Sequence, residues 1–260
     1  MSNLSVLMIT KDPDETIGKS ITSIHNIAQE IVIIDSSAQK LPIDKYSNKI
    51  KIYTHDERDL GKKRLYGLKK CRSEWILAID FDEIVSAPLS LEITQVIRGK
   101  NKYDGYVIPF HNHFLGKRVR HGGENYKMLR LFKKSKVVIK PSLIHEIFTL
   151  SNENIGYLKN PIRHFSYRTL SQTFKKFTDY AYREAEVRNR KGEKVTFKKL
   201  FFYPIHMFYA RFIKDKGYKD GFFRVPLDLG FAYIEFLMYF ILLVRPKVHL
   251  VGVKGPGRKG

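Results

Sequence analysis

The chain of 260 residues holds one cysteine, Cys71. A lone thiol excludes an internal disulfide and any multi-cysteine zinc site, and it agrees with a reducing compartment. The opening Met1-Ser-Asn-Leu-Ser-Val has no basic n-region, so no signal peptide is expected. Positions 10 to 18 contain only Gly18, which leaves out a glycine-rich phosphate loop after the first strand and counts against a nucleotidyltransferase. Internal repeats and low-complexity runs are missing, and only Lys254 to Gly260 reads as a loose tail. Negative charge is scarce in the second half. Residues 131–260 carry 26 Lys or Arg against 10 Asp or Glu, while residues 1–130 carry 21 against 16. The formal charge of +21 calls for an anionic partner, either nucleic acid or an acidic membrane surface. No nucleic-acid-binding motif accompanies the charge, and the basic residues are spread over helices, so a basic nucleic-acid-binding protein is the weaker alternative and no nucleic acid is expected.

Apolar content is ample. With 43% hydrophobic residues, 18 Phe and 15 Tyr, the chain can bury a large core, and wholesale disorder is excluded. The first hundred residues alternate apolar runs with helical patterns, the habit of a parallel sheet covered by helices. Strands are expected at Leu4 to Thr10, Glu30 to Asp35, Ile50 to His55 and Trp75 to Ile79, the last running into Asp80-Phe-Asp-Glu83. Asp12-Pro13-Asp14-Glu15 reads as an N-cap, a proline at the first helical position and an acid at the third, before Ile17, Ile21 and Ile24 at helical spacing. A helix from about Leu60 to Cys71 turns Leu65 and Leu68 inward, and Pro88 opens another with Leu91, Val96 and Ile97. After Gly105 the rhythm shortens: a hairpin around Gly116-Lys117, then strands at 128–132, 137–139 and 144–150. From Thr169 it becomes helical, with Leu170, Phe174, Phe177, Ala181 and Ala185 as one apolar stripe beside Lys175, Lys176 and Arg183, and an aromatic helix around 200–213.

Asp80 and Asp82 stand two apart at the carboxyl end of an apolar strand and project to the same side. Ligands of open α/β sheets bind at that edge. Two carboxylates there suit Mg or Mn beside a diphosphate whose charge the metal neutralises on departure.

Leu4-Ser-Val-Leu-Met-Ile-Thr10, Ile33-Ile-Asp35-Ser-Ser, Gly61-Lys-Lys-Arg64 and Leu77-Ala-Ile-Asp80-Phe-Asp82-Glu83 occur in that order. The series resembles the signature of family-2 glycosyltransferases with the GT-A fold. Met128-Leu-Arg-Leu-Phe132 and Ile144-His145-Glu146 resemble more narrowly the branch that includes the lipopolysaccharide-core glucosyltransferases. The likeness is good over about residues 4–150 and weak over 160–245. It implies an α/β GT-A fold, a Rossmann-like mixed sheet flanked by helices, followed by a helical C-terminal extension. It implies that Thr10 and Glu15 cradle the nucleotide base and ribose, that Asp35 accepts a hydrogen bond from uracil, and that Lys63 and Arg64 lie near the diphosphate. Asp82 is then the direct metal ligand and Asp80 contacts ribose or metal. The family's usual Tyr-Asn-Glu after the first strand is here Lys11-Asp12-Pro13-Asp14-Glu15, which unsettles the base contacts of that loop. Asp35 could alternatively cap a strand-end turn.

Transfer to a hydroxyl needs a general base. Glu146 is preferred, because its neighbour His145 could complete the metal's coordination, and Glu124 in His121-Gly-Gly-Glu124 is the alternative. His145 could equally be a core histidine bonded to a carbonyl. Gly122-Gly123 fits either a substrate lid or a plain hairpin turn, and His111 and His113 read as surface residues.

Val225 to Val244 is nearly all apolar, with Asp228 and Glu235 inside it. Two acids argue against a full membrane crossing and leave a core helix or one lying in the headgroup layer. The expected organisation is a catalytic domain over 1–165 (1–103 for the nucleotide sugar, 104–165 for the acceptor), a basic helical extension over 166–250 and a tail over 251–260. The expected activity is metal-dependent, inverting transfer from a nucleotide-diphosphate sugar, UDP-linked, to a bacterial surface glycan or lipid-linked saccharide. The expected location is the cytoplasm, peripheral on the inner face of the cytoplasmic membrane.

Overall fold

Three neighbouring strands owe their position to sequences with no polar face. In β1 (Leu4–Thr10) and β2 (Glu30–Asp35) every residue is buried, and in β4 (Trp75–Asp80) all but the last. Strands covered on both faces read as continuous apolar runs. A computed structural model describes residues 3–39, 41, 43, 48–57, 59–99, 102–140, 147–152 and 154–244. With β3 (Ile50–Thr54) at the edge, the strands run parallel in the order β3-β2-β1-β4. Register sets Thr10 beside Asp35 and Ile9 beside Asp80, so the carboxyl ends of three strands share one edge.

Helix α1 (Thr16–Ile24) packs Ile17, Ile21 and Ile24 on one face of the sheet, and α2 (Leu60–Lys70) packs Leu68 on the other. Helix α3 (Ala87–Arg98) starts as its sequence predicts, with Pro88 in the first turn and the Ser86 hydroxyl accepting from Leu89 N. Its buried pair is Leu89 and Ile93, four apart, while Leu91 lies on the opposite side and is 66% exposed. The start of α1 also differs from the expected cap. Asp14 Oδ1 accepts from Thr16 N at 2.9 Å, and Asp12 lies outside the helix at φ +44°. Asp12 precedes a proline, which disfavours helical geometry. Its N–H donates instead to Ser37 Oγ at 2.7 Å, joining the loop after β1 to the loop after β2.

Beyond β5 (Glu83–Val85) and α3, the long β6 (Gly105–Phe114) pairs antiparallel with β8 (Lys127–Lys133), which continues the sheet from β4. The predicted hairpin to β7 (Lys117–Arg118) is present, with Leu115 at φ +50° and Gly116 at φ +77° as its two turn residues. β9 (Val137–Lys140) and β10 (Ile147–Leu150) form a separate ribbon. β11 (Ile155–Tyr157) and β12 (Ile162–Tyr167) both pair with β6, and β12 also pairs with β5. Neither was expected from sequence, because β11 has three residues and β12 lacks a clean two-residue alternation.

Helix α4 (Leu170–Arg190) lies along α6 (Val225–Val244). Phe177, Ala181 and Ala185 meet Leu227, Ile234, Met238 and Ile241, and Phe114 and Val119 from the β6–β7 hairpin share this core. Leu170 and Phe174 fall outside the buried stripe and are exposed. Between the two helices runs one helical stretch: π-helical Lys198–Phe202, α5 (Tyr203–Tyr209) and π-helical Ala210–Lys214. Pro204 has no N–H to continue an α-helical ladder, and the wider turn sits directly before it. Phe222–Val244 is long and apolar enough to cross a membrane by length and composition, yet one side of α6 is buried against α4 and α5.

Candidate active site

The carboxyl end of β4 delivers Asp80 and Asp82 into a nest of cations. Asp80 Oδ1 accepts from Arg64 Nη2 at 2.8 Å and its Oδ2 lies 3.5 Å from Arg130 Nη2. Burial alone would raise its carboxyl, but Arg64 and Arg130 outweigh that and hold it below the usual carboxylate range. Glu83, three residues past the β4 end, accepts from Asp80 N at 2.9 Å and from Arg130 Nη2 at 2.8 Å. These contacts fix the turn that aims both aspartates.

Asp82 has different neighbours. Its Oδ2 is 3.5 Å from His164 Nε2 and 3.5 Å from Lys176 Nζ. Burial works against its charge, yet Lys176 and His164 keep the carboxyl far below its ordinary value. Burial by itself would lower the His164 imidazole, and the Asp82 carboxylate reverses that and raises it. On its other side, His164 Nδ1 lies 2.8 Å from Asn112 Oδ1, and Asn112 Nδ2 donates to Glu124 O at 2.8 Å. An amide oxygen only accepts, so the proton belongs on Nδ1 and Nε2 faces Asp82.

The strand ends beside this nest hold the residues expected at the nucleotide. Thr10 Oγ1 is buried with no hydrogen-bond partner among the described residues. Asp35 Oδ1 accepts from Ser37 N at 3.0 Å and Ser37 Oγ at 2.6 Å, so the turn-capping alternative is realised. Lys63 is not presented to solvent. Its ammonium donates to Thr10 O at 2.8 Å and Ser36 Oγ at 2.6 Å, tying the ends of β1 and β2, and burial lowers it to about 8 against the pull of Asp35. Arg64 is buried, reaches Asp80 and lies over the Phe148 ring. Glu15 precedes α1 with an exposed side chain 3.6 Å from Arg168.

The glycine loop is tied down. Gly122 and Gly123 adopt φ +62° and +81°, Asp220 accepts from Arg120 N and His121 N, and Arg224 Nη2 donates to Gly122 O at 3.0 Å. Glu124 is buried and ion-paired with Arg211. Burial raises its carboxyl, and Arg211 and Arg224 counteract only part of that. His145 and Glu146 lie outside the described residues.

Four site residues escaped the sequence reading: Asn112, Arg130, His164 and Lys176. The sequence sets Lys176 on a basic helix face, but its ammonium turns toward Asp82, Ser166 and the Tyr167 ring. His111 and His113, expected at the surface, are half-buried and flank Asn112, and His113 stacks on Phe165. The alternation of β6, with Phe110, Asn112 and Phe114 buried, was the available signal for Asn112. Among the described residues no three His, Cys, Asp or Glu side chains converge as a ready-made metal cluster.

The profile of glycosyl transferase family 2 matches residues 5–216. The chain belongs to this family. The α/β fold expected from sequence is therefore borne out, and so is the enzyme class. This family-2 glycosyltransferase is 26% identical over 260 residues to an uncharacterized glycosyltransferase of Rickettsia typhi, covering 91% of this chain and 85% of the relative. It is 25% identical to one from Rickettsia bellii, covering 90% and 84%. Among solved structures, S. aureus TarS 1-349 superposes with a TM-score of 0.46 at 14% identity, covering 92% of this chain and 90% of that one. The same TarS fragment in complex with UDP-GlcNAc gives 0.46 at 13% identity.

Proposed function

We propose that this family-2 glycosyltransferase is metal-dependent and inverting, and moves a sugar from a UDP-linked donor to a bacterial surface glycan or a lipid-linked saccharide such as lipopolysaccharide core. The observation that carries the reading is the Asp82–His164 pair. With the proton of His164 held on Nδ1 by Asn112, its Nε2 lone pair faces a carboxylate oxygen, an arrangement that needs a proton or a metal ion between the two groups. The donor set fits. Asp82 and His164 would hold Mg2+ or Mn2+. When bound, the ion supplies charge neutralisation for the departing diphosphate.

The protein's own groups then place the reactants. Thr10 and Asp35, beside each other at the strand ends, take the base and ribose, and the unpartnered Thr10 hydroxyl supports that role. Asp80, clamped by Arg64 and Arg130, presents a fixed acceptor toward ribose. Lys176, half exposed, is the cation placed to meet donor phosphate oxygens. Glu146 takes the proton of the acceptor hydroxyl as its oxygen attacks the anomeric carbon and the bond from that carbon to the diphosphate oxygen breaks. Glu124 is the less suited base, because its carboxylate already neutralises Arg211.

The test is a thermal-shift screen of nucleotide sugars with and without Mn2+, since a ligand specific for the folded state raises its stability. The reading expects a shift with a UDP-sugar that grows with Mn2+. Equal shifts with and without the metal would remove the metal from the proposal, and no shift with any UDP-sugar would remove the donor.

A further inference from the structure

The helical stretch 198–214 is built from aromatic and aliphatic residues, yet Leu200 is its only buried side chain. Phe201, Phe202, Tyr203, Ile205, Tyr209 and Ile213 are all exposed, Ile205 to 67%. A soluble protein gains by folding such residues inward, and a contiguous apolar patch of this kind marks an interaction surface. The same surface continues onto α6, where Leu229, Phe236, Phe240, Leu243 and Val244 remain exposed on the side turned away from α4. Ile205 forms a ridge between two apolar hollows. One, of about 760 Å³, is walled by Phe202, Tyr203, Met207 and Tyr209 with Lys198 and Glu235 also in its lining, and the other, of about 420 Å³, by Pro204, Leu229, Tyr233 and Phe236. Neither touches Asp80, Asp82 or Thr10.

Charge decides what covers this face. Exposed Lys194 and Lys198 stand at one end of the stretch, and exposed Lys214, Lys216 and Lys219 at the other. A second copy seated symmetrically on the patch would bring these lysines against their own kind, on a chain of charge +21. An anionic bilayer reverses that repulsion, because each lysine near its surface adds attraction while the apolar ridge enters the headgroup and acyl boundary. Crossing is not required, since α6 packs against both α4 and the 198–214 stretch and keeps only its remaining side exposed.

We propose that the 198–214 stretch, with the exposed side of α6, is a membrane-docking surface that lies in the headgroup layer of an anionic bilayer. Phe202 and Ile205 insert, and the lysines at the two ends contact lipid phosphates. This inference stands independently of which sugar the enzyme transfers, and it adds to α6 an element that the sequence showed only as an aromatic helix.

The test is co-sedimentation of the full chain with phosphatidylcholine vesicles with and without phosphatidylglycerol. Binding is expected only with the anionic lipid and should weaken as salt rises. Phe202→Ser combined with Ile205→Ser should lower the affinity at least about tenfold, with thermal unfolding unchanged because both side chains are already exposed. Phe202→Trp supplies a second readout that adds no polarity. Its emission should shift to the blue on adding anionic vesicles, whereas Trp75, the one native tryptophan, is buried. Three results would overturn the proposal: no binding to anionic vesicles at low salt, binding indifferent to Phe202 and Ile205, or a dimer in sedimentation velocity that the double substitution splits and that does not bind lipid.

Discussion

Asn112 Oδ1 lies 2.8 Å from His164 Nδ1, and that one hydrogen bond settles which imidazole nitrogen faces Asp82. Asn112→Leu removes the acceptor-only partner and leaves Nδ1 facing the Tyr126 hydroxyl, 3.3 Å away, which can donate or accept and so no longer fixes the tautomer. Outer-shell losses of this kind typically cost about 10–100-fold in metal affinity. Titration of Mn2+ into the protein with UDP present should show that loss, whereas an unchanged affinity would separate His164 from the metal.

Arg224 and Asp228 are wholly buried and joined by two hydrogen bonds, 2.9 and 3.1 Å. Arg224 also holds Asp220 and the carbonyl of Gly122, so one guanidinium links α6 to the glycine loop. Replacing Arg224 leaves buried Asp228 with Arg211 alone, and replacing Asp228 leaves buried Arg224 with Asp220 alone, so in each case an interior charge loses its nearest counter-charge. Arg224→Met and Asp228→Leu should each destabilise by about 3–5 kcal/mol, read from urea unfolding. A loss of less than about 1 kcal/mol would mean that the charges reach water.

The two carboxylates weighed as base separate by stability as well as rate. Glu124→Gln removes one of the two carboxylates paired with Arg211, leaving Asp228 alone against it, and should lower the unfolding midpoint. Glu146→Gln should keep the midpoint and donor binding while turnover falls by about 10²–10⁴. If Glu124→Gln keeps full stability and loses turnover instead, the base is Glu124.

Lys63 makes stability depend on pH. Its folded value is about 8 against 10.5 for the free side chain. Below pH 8 both states hold the proton and the fold carries the full cost of burying the charge. Between 8 and 10.5 the unfolded chain keeps a proton that the folded chain releases, so this contribution makes the fold more stable as pH rises. The difference in unfolding free energy between wild type and Lys63→Met should therefore move in favour of wild type across that interval. A difference that stays flat would show the ammonium to be solvated.

The parallel strands, the aspartate turn and the hairpin at Gly116 were legible because each depends on a local pattern: an unbroken apolar run, two acids at a strand end, a glycine between alternating segments. His164 and Lys176 were not, because they reach Asp82 from β12 and α4, over 80 positions away in the chain. Nothing in Ile162–Tyr167 marks its histidine as different from His111 or His113 until β12 is seen paired with both β6 and β5. The exposure of 198–214 was equally hidden, since apolar spacing shows that a helix has a greasy side but not what lies against it.

The central claim is that Asp82 and His164 together hold the metal that binds the donor diphosphate. The most direct measurement is calorimetric titration of UDP into wild type, Asp82→Asn and His164→Ala, each with and without Mn2+. Tightening by Mn2+ should be present in wild type and lost in both variants, with UDP affinity in the absence of metal little changed. Tightening that survives in both variants, or that is missing from wild type, would contradict the account.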